Sequence, residues 1–213
     1  MAGRAEVLEL VLRTRVIAVI RMRDAVKLGR VTAAISRGGV KALEITMTVP
    51  GAIDIIRTMA AEKSPGTAIG AGTVLDEETA LAAIAAGADF IVSPILVPGI
   101  VCACRGAGVF VAPGAFTPTE IVAAWSLGAD VVKVFPATSL GPAFFKDLQG
   151  PLPGIRLMPT GGVGLDNAAE FIRRGACCVA VGTALLDPGA IERDDWEALT
   201  RRARTLIESL AGV

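Results

Sequence analysis

Three charged side chains fall inside segments that otherwise read as buried strands. Lys133 sits in Asp130-Val-Val-Lys-Val-Phe135, Glu44 in Ala42-Leu-Glu-Ile-Thr46, and Arg21 ends the run Val16–Arg21. A strand sends alternate residues to opposite faces, so Val131, Lys133 and Phe135 share one face while Val132 and Val134 take the other. By the same alternation Ala42, Glu44 and Thr46 oppose Leu43 and Ile45, and Arg21 lies in register with Ile17 and Val19. A lysine, a glutamate and an arginine are therefore expected to converge in one interior. A buried charge costs several kcal/mol unless it is paired, so the trio needs a reason. One reason is structural, a set of salt bridges. The other is chemical. Desolvation and a neighbouring cation favour the neutral amine of Lys133, which can attack a ketone and form an imine, an electron sink for cleaving a C–C bond. Glu44 could then shuttle protons among carbinolamine, imine and enamine, and Arg21 could fork a carboxylate.

A second constellation lies late in the chain, in Pro159-Thr-Gly-Gly-Val163 and Val181-Gly-Thr-Ala184. Gly-rich turns that open helices present backbone N–H groups and the positive end of the helix dipole to an anion. The two constellations together predict a substrate with a phosphate at one end, a carboxylate at the other and a carbonyl near Lys133.

The elements that must position these residues come from a repeating phrase. Segments 38–45, 86–92, 107–112, 127–135 and 174–182 each carry glycine before or within a β-branched apolar run, and most follow an Ala/Leu-rich stretch of helical spacing. Glycine stops the helix and the short apolar run is a buried parallel strand. Strands are expected at 16–21, 41–46, 68–72, 89–93, 109–112, 130–135, 156–160 and 178–182, with helices between them. A helix near 5–12 precedes the first strand and another, from about 194 to 210, follows the last. Eight such units in one domain, 1–213, predict an α/β (β/α)8 TIM barrel with an extra N-terminal helix, near the lower size limit of that fold. An open doubly wound sheet is the alternative, but no GxGxxG follows the first strand. In the barrel, the loops after strands 7 and 8 are the usual phosphate site, which is where the two glycine turns fall.

Composition narrows the chemistry further. The 213 residues carry 21 Lys plus Arg against 21 Asp plus Glu, so neither nucleic acid nor an anionic membrane is an expected partner. There is no histidine, which removes imidazole-based nucleophile activation and His-ligated metal sites; no metal and no cofactor are expected. Cys102, Cys104, Cys177 and Cys178 have neither zinc-knuckle nor ordinary disulfide spacing and read as small apolar residues in a reducing, cytoplasmic setting. The first fifteen residues carry charges throughout, unlike a signal peptide. The uncharged run 90–104 contains two prolines and is too short to span a membrane.

Taken in order along the chain, VIAVIR (16–21), GGVKALEITMTVPGA (38–52), GAGTVLD (70–76), GADFIVSP (87–94), VAPGAFTPTE (111–120), GADVVKVFPA (128–137), LMPTGGV (157–163) and AVGTALL (180–186) resemble the 2-keto-3-deoxy-6-phosphogluconate (KDPG)/4-hydroxy-2-oxoglutarate (KHG) aldolases. The resemblance implies a class I lyase of the Entner–Doudoroff route, a homotrimer on a (β/α)8 barrel that acts on a small phosphorylated keto acid. It makes Lys133 the Schiff-base lysine and Glu44 the general acid/base. Thr73 and Thr160 would surround the pyruvyl portion, Pro94 and Phe135 would wall the pocket, and Gly161, Gly162, Gly182 and Thr183 would hold the phosphate. Many members carry an arginine four residues after the glutamate. Here that position is Thr48, and Arg21 is the natural substitute for holding the carboxylate. The same pocket could serve the phosphogalactonate epimer or unphosphorylated 4-hydroxy-2-oxoglutarate, and a pyruvyl imine could also decarboxylate oxaloacetate. Two readings without covalent chemistry are a sugar-phosphate isomerase or binding barrel, and a trimeric scaffold.

Overall fold

Each turn of the repeat becomes a strand followed by a helix. The computed structural model describes residues 2–22 and 24–213. Its elements, in chain order, are α1 (Arg4–Thr14), β1 (Val16–Ile20), α2 (Ala25–Arg37), β2 (Ala42–Thr46), α3 (Ala52–Glu62), β3 (Ala68–Gly72), α4 (Glu77–Ala85) and β4 (Phe90–Val92). There follow α5 (Pro98–Gly106), β5 (Phe110–Ala112), β6 (Gly114–Ala115), α6 (Pro118–Ser126), β7 (Val132–Val134), a 3₁₀ turn (Ala137–Ser139) and α7 (Gly141–Gln149). The chain ends with β8 (Leu157–Pro159), α8 (Ala168–Arg173), β9 (Val179–Val181), α9 (Pro188–Glu192) and α10 (Trp196–Ala211). Helix starts are fixed by side-chain caps: Asp24 accepts from Val26 and Lys27, Asp76 from Thr79, and Thr117 forms a capping box with Glu120.

All strand pairs are parallel, in one sheet ordered β5-β4-β3-β2-β1-β9 and another ordered β6-β7-β8. The strands curl as a half-barrel. One face packs against the helices through Ile20, Leu43, Ile45, Ile69, Val132, Val134 and Val181. The other encloses a second apolar cluster of Ile17, Ala42, Phe90, Phe110, Val131, Met158 and Ala180, closed at one end by Val7, Leu10 and Val11 of α1. The alternation expected for β2 and β7 is the one observed. The fifth expected strand, 109–112, corresponds to β5, but a short strand that was not expected, β6, follows it: Pro113 has no N–H to give a ladder, and it separates β5 from β6, which pair in different sheets.

Two copies of Gly-Ala-Asp anchor α1 across this end. Asp89 accepts from the Ile69 N–H at 2.9 Å and also meets Lys63 and the Ala2 N–H, while Asp130 accepts from the Val111 N–H at 2.9 Å and pairs with the Arg4 guanidinium at 2.8 Å. Asp130 is almost wholly buried. Asp130→Ala should therefore destabilise the fold by about 2–3 kcal/mol in urea denaturation, because the buried Val111 N–H loses its side-chain acceptor and Arg4 its anchor. Cys104 and Cys178 are buried and all four cysteines are free; burial and the nearby Asp130 charge push the Cys104 thiol up to about 12.

Candidate active site

Lys133 is the middle residue of β7, paired in register with Gly114 of β6 and Met158 of β8. Glu44 is the middle residue of β2, paired with Val19 of β1 and Gly70 of β3. Both point to the enclosed side, where Lys133 is 4% and Glu44 0% exposed. Each feels the charge of the other and of Arg21. Burial lowers the Lys133 amine below the ordinary lysine value; Glu44 opposes that shift and Arg21 adds to it. Burial raises the Glu44 carboxyl above the ordinary carboxylate range, against the pull of Lys133 and Arg21. Both groups are thus driven toward their neutral forms, the amine a nucleophile and the carboxyl a proton donor.

Neither Glu44 oxygen has a hydrogen-bond partner among the described residues, and the buried Thr160 hydroxyl has none either. Buried polar atoms are almost always paired, so these three are the groups with bonding capacity left for a ligand or a water. The Lys133 Nζ lies 5.2 Å from the Phe135 ring centroid, and Phe135 in turn lines a cleft of about 910 Å³. Arg21, Thr160, Gly161, Gly162, Gly182 and Thr183 line the same cleft. The cleft thus brings together a guanidinium and two glycine turns, and Lys133 reaches it through the Phe135 ring that it approaches from the buried side.

The remaining expected residues sit differently. Thr48 is exposed and hydrogen-bonds Thr46 Oγ1 at 2.8 Å. Thr73 takes a left-handed φ of +58° directly after β3, and Pro94 is half-buried beyond β4. None of the three lines the main cleft, although all lie at the ends of strands β2 to β4 on the side toward which those strands run. Arg21 is itself exposed, which suits a group that meets a ligand from solvent better than one closing a buried trio of salt bridges.

Three residues near the site lie outside the set expected from the sequence, although Thr46 is expected on the inward face. Thr46 is fully buried two residues beyond Glu44 and hydrogen-bonds the Ile20 carbonyl at 3.3 Å. Gly72 ends β3 directly beneath the Glu44 carboxyl, so close that a Cβ there would occupy the same space as Oε1. Asn167 braces the glycine turn after β8. Alternation signals Thr46; nothing local signals the other two. Among the described residues no group of three His, Cys, Asp or Glu side chains is arranged to hold a metal, and no helix is long and apolar enough to cross a membrane.

The family model for KDPG and KHG aldolases matches residues 7–202. A 2-dehydro-3-deoxy-phosphogluconate aldolase of Pseudomonas aeruginosa is 38% identical over 179 residues, spanning 84% of this chain and 81% of that protein. One from Treponema pallidum is 36% identical over 200 residues, spanning 92% and 93%. The structure of a KDPG aldolase from Legionella pneumophila, with pyruvate captured at low pH as a covalent carbinolamine intermediate, superposes with a TM-score of 0.85 at 26% identity, covering 93% of this chain and 97% of that one.

Proposed function

The chain belongs to the KDPG and KHG aldolase family, and from that premise we propose that it cleaves 2-keto-3-deoxy-6-phosphogluconate to pyruvate and glyceraldehyde 3-phosphate through a Schiff base on Lys133. The observation that carries this reading is the buried pair itself: an amine and a carboxyl, both pushed toward neutrality, beside unpaired oxygens in an enclosed interior. Neutral Lys133 attacks C2 of the keto acid, and loss of water from the carbinolamine gives the imine. A base takes the C4 hydroxyl proton, the C3–C4 bond breaks with its electrons drawn into the imine, and the aldehyde leaves. The resulting enamine is protonated at C3 and hydrolysed to pyruvate. Glu44, its carboxyl pushed up by burial and without a hydrogen-bond partner among the described residues, is the group able to give and take these protons: as the acid it protonates the departing hydroxyl, and the carboxylate left behind takes the C4 hydroxyl proton, directly or through one water. Arg21 forks the substrate carboxylate, Phe135 covers the imine, and Thr160 offers its free hydroxyl to the pyruvyl portion. Thr48, Thr73 and Pro94 shape the near side from the ends of β2 to β4, and the turns at Gly161–Gly162 and Gly182–Thr183 receive the phosphate.

Closure of the strands into a full (β/α)8 barrel belongs to the same reading. It is supported by the bridge between Thr160 and Ala180, which links β8 to β9, and by the single residue between β5 and β6. Assembly as a homotrimer is supported by the exposed apolar side chains Leu75, Ile95 and Phe116, which follow β3, β4 and β6. A cytoplasmic setting agrees with four free cysteines. The test is borohydride reduction in the presence of pyruvate: a pyruvyl-sized mass should appear on the peptide containing Lys133, and a protein that stays unmodified has lost the covalent mechanism.

A further inference from the structure

The turn between β8 and α8 is held by a residue that the chemistry above does not use. Gly161 and Gly162 both adopt left-handed backbone, with φ of +85° and +73°, and Gly164 follows two residues later. A segment so rich in glycine loses much conformational freedom on ordering, so a turn meant to meet an anion in one fixed shape needs to be tied. Asn167 ties it with both ends of one carboxamide. Its Oδ1 accepts from the Gly164 N–H at 2.8 Å, and its Nδ2 donates to the Gly162 carbonyl at 2.9 Å. In a planar trans peptide the C=O and the following N–H point opposite ways. Drawing the Gly162 carbonyl toward Asn167 therefore turns the Val163 N–H away from it. On another side the turn rests on Thr138, in the 3₁₀ turn that follows the lysine strand. A Cβ at Gly162 would come within 2.8 Å of Thr138 Oγ1 and 2.9 Å of its Cα, and the Ala137 N–H donates to the Thr160 carbonyl at 2.8 Å.

We propose that Asn167 is a positioning residue for the phosphate end of the substrate: it sets the Gly161–Gly164 turn in the shape whose N–H groups receive the dianion, and it takes no part in the imine chemistry. The inference rests on the phosphate reading of the glycine turns. Leucine at 167 keeps the bulk and removes both hydrogen bonds. Aspartate keeps the acceptor for Gly164, faces the Gly162 carbonyl with a second acceptor and adds a negative charge near the phosphate.

The test compares cleavage of 2-keto-3-deoxy-6-phosphogluconate with that of its unphosphorylated counterpart by wild type, Asn167→Leu and Asn167→Asp. For Asn167→Leu, kcat/KM on the phosphorylated substrate should fall about tenfold, through KM and with kcat within about twofold, as loss of one charge-assisted hydrogen bond would give. Asn167→Asp should fall further. The unphosphorylated substrate and the pyruvate adduct on Lys133 should change by less than about twofold, within the spread of surface substitutions. Equal losses on both substrates, or no loss on either, would overturn the assignment. If Asn167→Leu does not fold, Asn167→Asp decides by the same ratio. A wild type that does not distinguish the two substrates removes the phosphate reading and this inference with it, whereas a wild type that distinguishes them equally well with or without Asn167 removes only the inference.

Discussion

Lys133→Met should lower kcat on the phosphorylated keto acid by on the order of 10⁵-fold, the scale on which removal of a covalent nucleophile acts, and should abolish the pyruvate adduct. Methionine matches the length and bulk of the lysine stem without its charge. The side chain is 4% exposed and belongs to an apolar strand, so the fold should persist and the melting temperature should not fall below that of wild type. The wild-type enzyme should also show its lysine in the pH dependence of adduct formation. Only the uncharged amine attacks a ketone, so the rate of trapping rises with pH through the Lys133 pKa and then levels. Burial, with help from Arg21, lowers that pKa, so the rise should be complete at a lower pH than for a lysine on the surface. A Lys133→Met protein that kept a tenth of its turnover with an intact fold would leave the residue as a counter-ion only.

That Lys133 and Glu44 face inward could be read from the chain because the period of a strand is two, and each charge sits between residues whose apolar neighbours must meet helices. The glycine turns at strand ends were legible for a similar reason, since the repeat fixes where each strand stops. Other features follow from contacts between segments far apart. Asp130 anchors Arg4 across 126 positions, and no local pattern reports that. The two-residue β6 beyond Pro113 is set by its pairing with the lysine strand, and a segment of two residues carries too little alternation to announce itself. Asn167 reads as an ordinary polar residue near a helix start; its role becomes visible only once the turn beside it is folded. Thr48, by contrast, marks the limit of transfer by motif, because the position where the resemblance leads one to expect an arginine carries a hydroxyl bonded to Thr46 and exposed beside the site.

Gly72 has the same character, and it supports the second large prediction. Glu44→Gln should reduce kcat by about 10²–10⁴-fold, the usual contribution of a positioned general acid or base. The pyruvyl adduct should still accumulate on Lys133 after long incubation. Glu44 is the one charge that holds the Lys133 pKa up, so removing it leaves the amine more readily neutral, not less. Turnover and trapping would separate in this variant, whereas Lys133→Met loses both. Gly72→Ala should reproduce that separation without replacing either reactive group. The residue closes β3 opposite Thr46, and a methyl there would take the space now filled by the Glu44 carboxyl. The carboxyl must then swing away from the imine or push the two strands apart. Catalysis that depends on a proton donor within hydrogen-bond reach falls steeply with such a shift. If Gly72→Ala folds with normal kcat, the position of the Glu44 carboxyl over this glycine is incidental, and the proton shuttle must be sought in another group.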